Sequence, residues 1–113
     1  MGKLVLIVED DEVVADHLAS LVREQLGCIP IVTTTSRDAL ALAEKRCDFG
    51  FLDIKVADGD VYPLAARLRE RGVPFVFVSA TDPAQVPPDL AKAPFLRKPV
   101  APPRLLEIAR QHL

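Results

Sequence analysis

Leu4-Val5-Leu6-Ile7-Val8-Glu9-Asp10-Asp11-Glu12 is the stretch whose reading decides the fold. Five consecutive apolar residues, two of them valine and one isoleucine, suit a strand buried on both faces of a parallel sheet rather than one with a solvent face. Four acids stop it abruptly. Beyond them the hydrophobic period changes, with Val14, Leu18, Leu21, Val22 and Leu26 recurring at helical spacing until Gly27, where a helix would end. A buried strand followed by an amphipathic helix opens a βα unit, and the rest of the chain is read as its repetition.

Working outward, Ile29-Pro30-Ile31-Val32-Thr33 is the second strand; Pro30 lacks an N–H and assigns it to a sheet edge. Ser36 is placed to cap a second helix running to about Arg46. Phe49-Gly50-Phe51-Leu52 forms a third strand ending at Asp53. A third helix is predicted from residue 60 or 61 to 71, with Pro63 tolerated in its first turn. Phe75-Val76-Phe77-Val78 is the fourth strand, ending in Ser79. Residues 82–94 hold Pro83, Pro87, Pro88 and Pro94. Each interior proline costs an α-helix about 3 kcal/mol, so this stretch is predicted to be a loop with at most one or two short turns. Phe95-Leu96-Arg97 is a short fifth strand, and Pro102-Pro103 begin a last helix. Five strands alternating with helices imply an α/β fold, a doubly wound five-stranded parallel sheet covered on both faces.

The chain has 113 residues, half of them apolar and 27% charged, a globular composition and enough for one domain, residues 1–113. No apolar run approaches the roughly 18 to 20 residues of a membrane helix. With 14 basic against 16 acidic side chains, the formal net charge of −2 leaves no basic excess for a phosphate backbone, so direct nucleic-acid binding is not expected. Cys28 and Cys47 read as reduced residues at or near the core, which implies a cytoplasmic location. Eight of the ten prolines fall in the last forty residues, which marks the C-terminal third as irregular.

Open parallel sheets bind ligands at the carboxyl ends of their strands. Here those ends carry Glu9 and Asp10, Asp53, Ser79 and Lys98. Carboxylates a few ångströms apart repel each other by several kcal/mol at an effective dielectric near 20, so a cation or a proton must compensate; oxygen ligands with a phosphate partner suit Mg2+. Asp53 is placed to attack phosphorus and form an acyl phosphate, with Lys98 neutralising the transferring group and Ser79 donating a hydrogen bond to it. Asp11 reads as a cap of the first helix, His17 as a surface residue, and the side chains of Lys55, Asp58 and Asp60 as solvated loop charges.

Val8-Glu9-Asp10-Asp11, Phe51-Leu52-Asp53-Ile54, Val78-Ser79-Ala80 and Lys98-Pro99, in this order and spacing, resemble the motifs of the receiver domain of bacterial two-component response regulators, over essentially the whole chain. The resemblance implies a flavodoxin-like strand order 2-1-3-4-5. It implies that Asp53 is the phospho-acceptor, that Asp10 ligates Mg2+ directly and Glu9 through water, and that the Lys55 carbonyl completes the protein ligands beside Asp53. Lys98 would pair with the phosphoryl group, Ser79 would move toward it, Phe95 would be the aromatic switch residue, and the Lys98–Pro99 peptide would be cis. The partners implied are a sensor histidine kinase or phosphotransfer protein and a downstream protein, with a homodimer as a further form.

The sequence departs from the family in two places. Ala57 and Val61 stand where relatives carry proline and glycine, which predicts a different loop after the third strand. Residues 82–94 shorten or replace the fourth helix that relatives use for output and dimer contacts, so a rearranged contact surface is expected. The reading is of a stand-alone signalling module that catalyses only its own phosphorylation and dephosphorylation, not of an enzyme with a metabolic substrate. Two alternatives stand beside it: an Mg2+-dependent phosphohydrolase with an aspartyl nucleophile, which would need a second aspartate where Lys55 stands, and a receiver-like binding module that does not use the phosphosite.

Overall fold

The apolar run of the first strand is buried as its composition dictates: in the computed structural model, which describes residues 2–113, Leu4–Val8 forms strand β1, and Val5, Leu6, Ile7 and Val8 are all buried. It pairs in parallel with β2 (Ile29–Thr33) on one side and β3 (Phe49–Leu52) on the other. A short antiparallel hairpin, β4 (Lys55–Val56) and β5 (Gly59–Asp60), follows β3 outside the sheet. Strands β6 (Phe75–Ser79) and β7 (Phe95–Arg97) complete the sheet, whose order β2-β1-β3-β6-β7 is the expected 2-1-3-4-5 with the hairpin inserted in the numbering.

Alternate residues of the strands face two layers. Leu6, Val8, Leu52, Phe75 and Phe77 pack on one face against α2 (Ser36–Ala43) and α3 (Tyr62–Glu70), through Ala39, Ala43, Leu64, Ala65 and Leu68. On the other face Val5, Ile7, Phe49, Phe51, Val76, Val78 and Leu96 meet α1 (Glu12–Glu24) and α4 (Pro102–Arg110), through Leu18, Val22, Leu105, Ile108 and Ala109. Pro30 lies on edge strand β2, as its missing donor requires.

Helix ends follow local chemistry where the partner is local. Asp11 accepts from the amides of Val13 (3.0 Å) and Val14 (3.3 Å) and caps α1. Gly27, with φ of 63°, lets the chain leave that helix, and the Cys28 amide returns to the Val22 carbonyl at 3.0 Å. The second helix differs from expectation at both ends. Its cap is Thr35, which accepts from the Asp38 amide at 3.1 Å, and Ser36 is already its first residue. It stops at Ala43, short of Arg46, and Arg71, just beyond α3, donates to the Ala43 carbonyl at 2.7 Å, satisfying that end-of-helix acceptor from outside.

Residues 82–94 form two short 3-10 turns, Pro83–Gln85 and Pro88–Leu90, with Leu90 the one buried side chain of the two turns. The proline reading of a loop with short turns is met. The Lys98–Pro99 peptide is cis. Cys28 and Cys47 are free, partly buried thiols at the margins of the two apolar layers.

The β4–β5 hairpin adds to one sequence reading. Asp58 at its tip is exposed, as expected of a loop charge, but it is also engaged: its two carboxylate oxygens accept from the amides of Ser36 (2.7 Å) and Arg37 (3.1 Å) in the first turn of α2. Asp60 likewise accepts from the Tyr62 amide (3.0 Å), at the start of α3. Lys55 is exposed, as expected.

Candidate functional site

The backbone ladders that build the sheet continue past the strands and bring the strand-end residues side by side. The Asp53 amide donates to the Val8 carbonyl (2.9 Å), and the Lys98 amide to the Ser79 carbonyl (3.0 Å). Glu9 is anchored from the other side, its amide on the Thr33 carbonyl at 3.0 Å. With β1, β3, β6 and β7 parallel, the acids, the hydroxyl and the ammonium all emerge at one rim.

Glu9, Asp10 and Asp53 offer carboxylate oxygens that lie within 4.8 Å of one another. The Lys98 ammonium bridges two of them, in contact with Glu9 Oε1 and 2.9 Å from Asp53 Oδ2. Asp53 Oδ1 accepts from the Ile54 amide at 2.7 Å, which fixes the carboxylate plane. Glu9 Oε2, on a residue 2% exposed, has no hydrogen-bond partner. A buried carboxylate oxygen left orphaned beside two further carboxylates is the donor set of a hard cation, and these residues fit a divalent ion such as Mg2+.

The electrostatics follow from a buried and a partly buried carboxylate sharing one ammonium. Burial, reinforced by the neighbouring Asp53 carboxylate, pushes Glu9 up to about 7 against the pull of Lys98. Asp53 meets the same burial penalty, but its close neighbours Glu9, Lys98 and Ser79 outweigh it and hold this carboxyl below its ordinary range. Lys98 is partly buried, which works against its charge, yet its hydrogen bonds with Glu9 and Asp53 raise it above the ordinary lysine value.

Ser79 is buried, and its hydroxyl accepts from the Thr81 amide at 3.2 Å. Phe95 lies outside the acid–lysine contacts. Its half-buried ring sits 6.1 Å from that of Phe77, which in turn stands 6.3 Å from Tyr62, in an aromatic row on the α2–α3 face. The Thr81 amide and the Asp58 carboxylate are the two site-side groups that the sequence reading missed. Asp58-Gly59 is a turn signal, but nothing in it names the helix that the carboxylate reaches.

Fold and site together define a class: a doubly wound parallel domain with a carboxylate trio and a lysine at the carboxyl rim of its sheet. The response regulator receiver domain family matches residues 5–110, and the chain belongs to that family. A search of curated proteins by sequence gave no match. Among solved structures, a CheY-like receiver domain from Methylobacillus flagellatus is 26% identical, with both chains covered in full and a TM-score of 0.81. SdrG from Sphingomonas melonis is 29% identical, over 96% of this chain and 93% of that one, at 0.81. The receiver domain of a sensor histidine kinase from Pseudomonas aeruginosa, whose structure has a magnesium ion coordinated in the active-site cleft, shares the fold at 22% identity, a TM-score of 0.84 and 99% and 98% coverage. Family membership carries two-component signalling as the general setting of this chain. Among the described residues, no helix is long and apolar enough to cross a membrane.

Proposed function

We propose that the chain accepts a phosphoryl group on Asp53 from a phosphohistidine of a sensor histidine kinase or phosphotransfer protein, in an Mg2+-dependent reaction, and so switches its contacts with a downstream protein. The observation that carries this reading is Lys98 bridging Glu9 and Asp53 beside the orphaned Glu9 Oε2. In the transfer an Asp53 carboxylate oxygen forms the new O–P bond. The P–N bond of the donor breaks, and its electron pair stays on the imidazole nitrogen.

Glu9, Asp10 and Asp53, with the Lys55 carbonyl, would hold the ion, which when bound screens the negative charge of the phosphoryl oxygens. The Ile54 amide orients Asp53 for in-line attack. Lys98, already on Asp53 Oδ2, is placed to follow the charge onto the phosphoryl group. Ser79, whose oxygen accepts from the Thr81 amide, keeps its hydroxyl proton to donate to a phosphoryl oxygen. An aspartyl phosphohydrolase would need an acid/base where Lys55 presents an exposed ammonium, so the chain is proposed to be a signalling module that turns over only its own phosphoryl group.

Incubation with a small acyl phosphate and Mg2+ is expected to add one phosphoryl mass to the wild type and none to Asp53→Asn. An unchanged wild-type mass overturns the proposal.

A further inference from the structure

The loop after β3 is fastened to the α2 side of the molecule at two adjacent points. The Ala57 amide donates to the Thr34 carbonyl at 3.0 Å, and the next residue, Asp58, receives the Ser36 and Arg37 amides at 2.7 and 3.1 Å. Its base is closed by the Val61 amide on the Ile54 carbonyl at 2.8 Å, and Ile54 and Val56 are buried beneath it. Between these ties lies Lys55, paired with Asp60 across the hairpin and two residues from Asp53.

The arrangement caps α2 and ties the hairpin to it at the same time. Thr35 already supplies the ordinary side-chain cap, on the Asp38 amide. Of the two amides, that of exposed Arg37 could be satisfied by water, whereas Ser36 is buried and needs a protein acceptor. A carboxylate from a hairpin more than twenty residues further on takes both. A hydrogen bond to an ionised acceptor is roughly twice as strong as a neutral one, so the two-point contact ties the hairpin tip to the end of a helix that is itself packed on the sheet.

We infer that Asp58 is a positioning residue for the proposed metal site: by holding the hairpin tip on α2 it fixes the main chain at Lys55, and with it the carbonyl offered to the ion. The inference rests on the Mg2+-dependent receiver reading above. Asp58 touches neither ion nor phosphoryl group and acts through the loop. The family's usual proline is replaced here by Ala57, which leaves the loop without that constraint on φ, and the carboxylate latch supplies rigidity in another way.

Calorimetric titration of the intact chain with Mg2+ tests this, in the wild type, Asp58→Ala, Asp58→Asn and Thr35→Ala, each with its thermal unfolding measured without metal. Asp58→Ala is expected to bind Mg2+ about tenfold more weakly, in line with the loss of an outer support of a metal ligand. Asp58→Asn, which keeps one good acceptor oxygen, is expected between it and the wild type. Thr35→Ala is expected to lower the unfolding temperature and leave the affinity unchanged. Unchanged affinity in both Asp58 variants, or equal weakening by Thr35→Ala and Asp58→Ala, overturns the inference while the receiver reading stands. A wild type that takes up no Mg2+ overturns both. If Asp58→Ala does not fold, the Asp58→Asn comparison alone decides.

Discussion

Glu9 holds a carboxylate where water cannot reach it, next to a second carboxylate and a single ammonium that serves both. Lys98 cannot neutralise two charges, so in the metal-free protein the site retains a proton on Glu9 up to a pH of about 7. Unfolded, the same carboxyl releases its proton near 4.5. The native state therefore binds this proton more tightly than the unfolded chain, and the contribution of Glu9 to stability falls as pH rises from 4.5 to about 7. Asp53 acts in the opposite sense and in a lower window: its depressed carboxyl stabilises the fold above 3.8 and loses that effect only in stronger acid. Urea unfolding of metal-free protein across pH 4.5 to 7 is expected to show that decline in the wild type and to lose it in Glu9→Gln. An identical slope in both proteins would refute the assignment of the titration to Glu9. The sequence placed all three carboxylates at the right strand ends, because a strand end is a local feature. It could not place the proton, which depends on burial and on a lysine 89 residues away.

At the scale of elements, the proline segment and α2 make opposite cases. Four prolines within residues 82–94 exclude a regular helix by their own covalent geometry, and two 3-10 turns are what remains. Their amides reach only nearby acceptors, such as Gln85 to the Asp82 carbonyl at 3.0 Å and Leu90 to the Pro87 carbonyl at 2.9 Å, over a largely exposed surface. Hydrogen exchange at Ala84, Gln85 and Val86 is expected to proceed by local opening, far faster than at Val76 to Val78 in β6, whose exchange requires global unfolding. Protection in the turns equal to that in β6 would contradict the loop. The second helix, by contrast, begins at a local cap, Thr35, but is also gripped at both ends from far along the chain. Asp58 holds its start and Arg71 its end, from 22 and 28 residues away. The hairpin carrying Asp58 was invisible for a related reason: two residues per strand are too few to show a period.

For the molecule as a whole, two apolar layers share one sheet, and Phe77 stands at the centre of the α2–α3 layer. It is fully buried and meets Phe75, Tyr62 and Phe95 at 5.3, 6.3 and 6.1 Å. Phe77→Ala is expected to cost about 3 to 5 kcal/mol in denaturant unfolding, the usual penalty for emptying a buried aromatic site. Phe95→Ala, removing a half-buried ring at the edge of the same row, is expected to cost clearly less. Equal losses would mean that the proline turns seal Phe95 as tightly as the sheet seals Phe77. The architecture was legible because each strand and helix states its own period, and right-handed crossovers leave few ways to wind them.

The sequence by itself determined the alternation of strands and helices, the edge position of β2, the irregular segment before β7, and a rim bearing Glu9, Asp10, Asp53, Ser79 and Lys98. Each follows from spacing, covalent geometry or the direction of parallel strands. Only the tertiary structure decided where α2 ends, that Asp58 grips its first amides, that Thr81 holds the Ser79 hydroxyl, and which carboxylate keeps a proton. Those features are contacts and local dielectric, and they exist only once folding has brought distant side chains within hydrogen-bond reach and excluded water from around them.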